Sequence, residues 1–366
     1  MIKIQFYLSN LCGGGAQRTV VNVLRYLNRN KFNPSLKLLD YNKNMAYAEL
    51  IPGDVEITNI DRRGRYSVFK IAKIIREEQP DIVFGTLPQV NIALTLGRLL
   101  SLKRPRMILR ETNYRKKAFN SSWLKFQQRK FSYKRCDQVV SLSKGVAKQL
   151  ENEYNIDSEK INVIYNPVDL EHIKNRKKEP EANYEAENLN FIACGRLSKQ
   201  KNFEMLIEAA ELVKNKYEDG WVIRIMGKGS RESKLKDMIE RKGLEDKVKL
   251  IGFKNNPFKY MYNSDVFVLS SKWEGFGHVV VEALACNTPV LSTDCPHGPA
   301  EILSNEQYGW LVSNDDVNDM AEKMMNLIEN PTEINKKAKI AAERAEDFAA
   351  EKIVREYEDL FFSLVE

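Results

Sequence analysis

Short apolar, β-branched runs alternate with helix-like segments twice along this chain, in two series separated by a polar break. That alternation constrains the fold more than any single motif. In the first series, Ile2–Leu8, 36–39, 81–85, Arg106–Glu111, 137–142 and 161–165 read as buried strands, with helices over 19–28, Ser67–Glu78, 91–102 and 143–153. In the second, strands at 190–195, Trp221–Met226, 247–251, 265–269 and 289–293 alternate with helices at Phe203–Lys216, Glu232–Arg241 and 278–286. Two further helices follow over 315–329 and 333–347. Strands that return to one sheet through helices run parallel, and helices on both faces bury them. Each series therefore predicts an α/β, doubly wound, Rossmann-like domain. The break over 174–188 is charged and poor in apolar residues, which predicts domains of residues 1–178 and 179–349. A last apolar stripe, Ile353, Val354, Tyr357, Leu360, Phe361 and Leu364, predicts an amphipathic helix over 350–366 that needs a surface to cover, on the first domain.

Length and composition agree. A chain of 366 residues exceeds one ordinary core, and 43% apolar with 29% charged residues describes a globular protein. No apolar run approaches the roughly 20 residues that span a bilayer. The start, Met1 to Leu8, is too short and too strand-like for a signal peptide. Five cysteines (12, 136, 194, 286 and 295) form no CxxC pair, which points to reduced thiols, a cytoplasmic setting and no structural zinc. The net charge of +7 hides a division. Residues 1–180 carry 33 Lys and Arg against 17 acids, while residues 181–366 carry 24 against 33. The basic half should meet something anionic, the acidic half a different partner.

The densest chemistry lies between the strands at 265–269 and 289–293. Trp273-Glu274-Gly275-Phe276-Gly277-His278 leads into a helix that carries Glu282. Ligands of such folds bind beyond the carboxyl ends of the strands, and a helix amino terminus offers free N–H groups to an anion. Glu274 falls in that turn and Glu282 about two turns into the helix. The pattern reads as a sugar-nucleotide pocket. Gly195-Arg196 and Lys201 follow the first strand of the second domain, and an arginine fork with a lysine point charge suits a diphosphate. Gly227 and Gly229 end the next strand in a Gly-x-Gly turn, and Phe253 follows the third, where a base could stack. Near the start, Gly13, Gly14 and Gly15 precede a helix and allow close approach to a phosphate or sugar, although a merely flexible turn has the same composition. GxGxxG is absent there.

Residues 103–135 hold twelve Lys or Arg and a single acid, Glu111. Phe119, Trp123, Phe126 and Phe131 recur at helical spacing among Lys125, Arg129 and Lys134. An aromatic face ringed by cations suits an anionic interface. It equally suits a helix whose aromatics pack into the core while its charges are solvated.

Taken together, Gly-Gly-Ala-Gln-Arg at 14–18, Gly-Arg-Leu-x3-Lys-Asn at 195–202, Gly-x-Gly at 227–229 and Glu-Gly-Phe-Gly-x4-Glu-Ala at 274–283 resemble family-4 retaining glycosyltransferases of the GT-B fold. The motifs stand in family order across nearly the whole chain. The resemblance implies two Rossmann-like domains facing each other across a cleft, the second holding the donor. It implies that Arg196 and Lys201 hold the diphosphate, Glu282 the ribose and Glu274 the donor sugar. Gly14, Gly15, Gly275, Phe276, Gly277 and His278 are further donor-site candidates. The first domain is similar to bacterial enzymes that extend sugars on undecaprenyl diphosphate or on cell-surface glycans, through Arg110-Glu111-Thr112-Asn113, the basic-aromatic helix and Cys136-Asp137. Many relatives carry a histidine where Thr112 stands, so Thr112 or Asn113 is left to contact the reacting sugar. Arg18, Arg110, Arg115, Lys116, Lys117, Trp123 and Arg129 are the candidates for acceptor or membrane contact.

The activity so implied is transfer of a sugar, an N-acetylhexosamine for instance, from a UDP-sugar to a lipid-linked or glycan acceptor at the cytoplasmic membrane face. Retention would follow from front-face attack, with no obligatory metal; no DxD sits at a strand end, nor is HExxH present. A sugar-nucleotide hydrolase or epimerase of the same fold is the rival enzyme. A nucleic-acid binder is the rival of another class, and no helix-turn-helix, zinc-finger or RNP pattern supports it.

Overall fold

The structure is a computed structural model that describes residues 1–61, 66–112, 123–179 and 188–366. It divides into two compact units, Met1–Pro167 with Ala350–Glu366, and Val168–Ala349. The division falls after Pro167, eleven residues before the boundary drawn from the polar break. A helix, Leu170–Arg176, occupies the intervening stretch and belongs to the second unit. Asp169 caps it, accepting from the His172 N–H at 2.9 Å. With only Ile173 buried, it offers no apolar period to read.

The first unit is built on seven strands: β1 (Ile2–Leu8), β2 (Phe32–Leu38), β3 (Glu56–Asn59), β4 (Ile82–Thr86), β5 (Arg106–Glu111), β6 (Gln138–Ser141) and β7 (Ile161–Val163). Their order is β3-β2-β1-β4-β5-β6-β7, and every pairing is parallel. The second unit has six: β8 (Leu189–Cys194), β9 (Trp221–Met226), β10 (Val248–Gly252), β11 (Val266–Leu269), β12 (Val290–Thr293) and β13 (Gly309–Val312). These too are all parallel, in the order β10-β9-β8-β11-β12-β13. In both sheets the strand order reverses beside the first strand, between β1 and β4 and between β8 and β11. Those reversals are the topological switch points where such sheets take ligands.

Two strands escaped the sequence reading. β3, Glu-Ile-Thr-Asn, has no buried residue and caps a sheet edge. β13 is four residues long and is the other sheet's edge.

The helix Ala350–Ser363 covers the first sheet. Ile353, Val354, Tyr357 and Phe361 are buried on its inner face. The Phe361 ring lies 6.2 Å from Phe6, 5.9 Å from Phe32 and 6.3 Å from Phe84. Each such ring contributes about 1.5–3 kcal/mol by burial. On the same unit, helices Ser67–Glu78, Pro88–Leu100 and Trp123–Arg135 pack side by side. The first two touch so closely that a Cβ on Gly97 would stand 2.5 Å from Ile71 Cγ2. None of the helices among the described residues is long and apolar enough to cross a membrane.

Candidate functional site

At the switch point of the second sheet, the loop after β8 is laced to the loop after β11. The Gln200 side chain donates to the Trp273 carbonyl at 2.9 Å, the Lys272 N–H to the Gln200 carbonyl at 2.8 Å, and the Ser270 hydroxyl to the Lys201 carbonyl at 2.8 Å. Behind them, Asp315 joins both loops, accepting from Asn202 Nδ2 at 3.0 Å and from Lys272 Nζ at 2.8 Å. Asn202 and Asp315 both hold left-handed backbone, φ 51° and 62°, which asparagine and aspartate tolerate best among residues with a Cβ.

This lacing delivers two charges to one point. Lys201 Nζ donates to Glu274 Oε1 at 2.6 Å, and the buried Ser271 hydroxyl donates to the same oxygen at 2.7 Å. Both charged side chains are largely buried, 16% and 9% exposed, so each needs the other. Glu274 Oε2 accepts no bond from the described residues, and Lys201 retains two further N–H donors. One carboxylate oxygen and one ammonium thus remain able to take a ligand. Nearby, burial and the Glu274 charge push the Cys295 thiol up to about 12.

Glycines shape this end of the sheet. A Cβ on Gly227 would stand 1.9 Å from the Gly195 carbonyl oxygen, and one on Gly229 2.2 Å from that of Leu197. The Gly-x-Gly turn therefore lets the chain after β9 lie directly on the loop carrying Arg196 and Lys201, and the Leu197 N–H donates to the Lys228 carbonyl at 3.0 Å. Gly298, in the turn after β12, does the same for the Glu274 turn: its Cβ would stand 2.2 Å from the Phe276 carbonyl oxygen.

The remaining candidates of this unit lie at the same strand ends. Arg196 is exposed and makes no hydrogen bond or ion pair with the described residues. Gly277 (φ 95°) precedes the helix His278–Ala285, on which Glu282 is 3% exposed. Gly275 and Phe276 are buried, the Phe276 ring 5.4 Å from Phe348 and 5.8 Å from His278. Phe253, after β10, is 62% exposed.

The first unit has its own polar cluster at its own switch point. Gly14 (φ 131°) precedes the helix Gly15–Tyr26, and Gly14, Gly15 and the half-buried Arg18 lie at its open end. Arg110 was expected at an acceptor or membrane surface, but it is 1% exposed. Its place on β5 turns it inward, as it does Ile108 two residues earlier, and its guanidinium donates to Asn166 and, at 3.4 Å, to Thr19. Arg129 is buried too, because it lies on the inner face of its helix with Phe126 and Tyr133. Phe126 stacks on Tyr154 at 4.7 Å, and Tyr133 donates to Glu111 Oε2 at 2.5 Å. Burial, reinforced by the Glu111 charge, pushes the Tyr133 hydroxyl well above its ordinary range. Trp123 points the other way, 72% exposed. Thr112 is partly exposed and its N–H bonds to Glu111 Oε1 at 2.8 Å; Asn113, Arg115, Lys116 and Lys117 lie outside the described residues. Among the described residues there is no cluster able to hold a metal ion.

Comparison with known proteins follows this division. Residues 174–347 match the family of glycosyl transferases group 1, and residues 13–172 match Glycosyltransferase Family 4. The chain is 29% identical, over 97% of its own length and 98% of the relative's, to the N-acetylgalactosamine-N,N'-diacetylbacillosaminyl-diphospho-undecaprenol 4-alpha-N-acetylgalactosaminyltransferase of Campylobacter jejuni. It is 30% identical, over 79% of its length and 81% of the relative's, to an uncharacterized glycosyltransferase of Methanocaldococcus jannaschii. Among solved structures, HepE from Anabaena in complex with UDP superposes with a TM-score of 0.82 at 19% identity, over 99% of this chain and 100% of that one.

Proposed function

Because this chain belongs to the family-4 glycosyltransferases and has their GT-B fold, we propose that it transfers an N-acetylhexosamine, with retention, from a UDP-sugar to a lipid-linked glycan. The observation that carries the proposal is the buried Lys201–Glu274 pair at the switch point of the second sheet. Lys201, with the exposed Arg196, holds the diphosphate, and these cations act most strongly as the leaving phosphate gains charge. The free Oε2 of Glu274 accepts from a hydroxyl of the donor sugar. Glu282 holds the ribose, and Phe253 offers its face to the base. Gly14 and Gly15 bring backbone N–H groups to the donor, and Gly275, Phe276, Gly277 and His278 form the turn against it.

In front-face attack, the acceptor hydroxyl passes its proton to the departing β-phosphate as the new bond forms on the face the diphosphate leaves. No metal is required, because the two cations balance the charge. The UDP complex of a protein with this fold supports the nucleotide. The activity for which the Campylobacter relative is named supports the sugar class and the undecaprenol-linked acceptor. The acceptor belongs to the first unit, residues 1–167 with the last helix, and the donor chiefly to the second, 168–349. Thr112, Asn113 and Arg18 face the acceptor, while Arg115, Lys116, Lys117 and Trp123 meet an anionic membrane at its cytoplasmic face.

Thermal-shift screening against UDP-, GDP- and ADP-sugars tests the reading, since a ligand that binds only the folded state raises its stability. UDP-N-acetylhexosamines should raise the melting temperature most. If none of the nucleotide sugars raises it, the pocket is misassigned.

A further inference from the structure

Fourteen large apolar side chains are conspicuously exposed among the described residues, and nine of them fall between Tyr66 and Phe131. They sit on, or within two residues of, the three helices that pack side by side on the first unit, Ser67–Glu78, Pro88–Leu100 and Trp123–Arg135. Phe69 is 72% exposed, Leu99 45%, Leu102 89% and Leu124 57%. Leu102 also holds φ 61°, so a bulky residue is kept in left-handed backbone with its side chain in solvent. Large apolar side chains exposed together on neighbouring helices mark a contact surface on a globular protein.

The charges around it say what it contacts. Lys73 and Arg76 stand exposed on the first helix, Lys103 and Arg104 follow the second, and Lys125 and Lys134 flank the third. The only acids on these helices are Glu77 and Glu78 at the end of the first. Of these cations Lys73 lies 3.7 Å from Glu77, and the rest outnumber the acids. Apolar anchors among such a surplus of cations match an anionic bilayer surface, where rings and leucines enter the acyl boundary and lysines stay at the headgroups. We infer that this whole three-helix layer, and not the basic-aromatic helix alone, is the face by which the enzyme docks on an anionic membrane, with Phe69, Leu99 and Leu102 as inserting anchors. The inference rests on the reading that the acceptor is presented at such a membrane, and it adds a surface formed by residues well outside 103–135.

Flotation of the full chain with vesicles of phosphatidylcholine and phosphatidylglycerol, against vesicles of phosphatidylcholine alone, tests it. The wild type should bind the anionic vesicles, less so at high salt, and Phe69→Glu and Leu102→Glu should each weaken binding about tenfold. Both side chains are exposed, so the variants should fold and keep the wild-type affinity for UDP, measured by calorimetry without vesicles. Absence of wild-type binding, or binding untouched by either substitution, overturns the inference. So does a dimer, seen by light scattering, that the same substitutions dissociate, since the face would then belong to a second copy. Loss of UDP binding by the wild type would instead sink the transferase reading and leave the vesicle result to stand by itself.

Discussion

The two units share a strand order and each buries a cation near its switch point, but they treat that cation differently. In the second unit, Lys201 meets a carboxylate and a hydroxyl stands behind it. In the first, Arg110 meets only the amide of Asn166 and the hydroxyl of Thr19. Among the described residues its Nε and Nη1 have no hydrogen-bond partner, nor do the nearby Thr86 Oγ1, Asn91 Oδ1 and the Tyr357 hydroxyl. The pair in the second unit is closed within the fold except for Glu274 Oε2 and the spare Lys201 donors. The cluster in the first unit leaves buried polar atoms unsatisfied among the described residues, a state proteins normally avoid or fill with water. A site for a constant ligand such as a nucleotide diphosphate can be built once and held rigid. The first unit, to which the proposed function assigns the variable acceptor, shows looser polar closure and wide apolar exposure.

The largest effect that tests this contrast is on chemistry. Glu274→Ala should lower transfer by roughly 10²–10³-fold, the range for loss of one group that stabilises a transition state, with circular dichroism unchanged. A variant of full activity would place the reacting centre elsewhere. Next comes stability. Lys201→Met strands a buried carboxylate and should cost about 3 kcal/mol in urea unfolding, whereas Arg110→Met removes unsatisfied donors and should cost under about 1 kcal/mol. Equal costs would mean that Arg110 is fully satisfied, and the contrast between the units would fail. Gly229→Ala drives a methyl into the Leu197 carbonyl and should cost about 2 kcal/mol, with weaker UDP binding because Lys201 shifts along with its loop.

The smallest difference expected is in the thiols. Burial pushes Cys136 of the first unit, and Cys286 and Cys295 of the second, from an ordinary 9.0 to about 12. A thiol whose folded pKa is raised supports the fold below the unfolded value and loses that support as pH rises. Both units should therefore weaken together between about pH 9 and 12. At pH 8 iodoacetamide should label the exposed Cys12 long before these three. Early labelling of any of them would show that its unit opens.

Much of this was legible in the residues. β1, β5 and β9, and the helices Ser67–Glu78, Phe203–Lys216 and Glu232–Arg241, have the bounds their apolar periods predict, because burial on one or both faces leaves a periodic trace. β3 left none, being half exposed, and the helix Leu170–Arg176 was hidden by its charges. Within the site, Glu274 and Lys201 were visible as motif residues, but not their ion pair. Asp315 went unnoticed, since its contacts across 43 and 113 residues of chain depend on loop geometry that no local pattern encodes, and the Ser271 contact depends on the turn that brings Glu274 back over it. Gly298 does carry a signal, a glycine before proline in a turn after a strand. Arg110 and Arg129 misled because a cation in a basic segment suggests a surface, whereas the strand and helix periods put both inside.

The route of the chain carries a last consequence, for biosynthesis. Residues 1–167 leave the ribosome first, yet their core needs Tyr357 and Phe361, which are made last. The stretch 168–349, inserted between them, holds all its own strands, and Val168 pairs with Ala349 where the insertion begins and ends. During synthesis the later-made unit can close upon itself while the earlier one waits with an uncovered aromatic face on Phe6, Phe32 and Phe84. That waiting interval is when a nascent chain of this design needs a chaperone most. Truncation within the last helix should trap the first unit in its waiting form and leave the second unit folded.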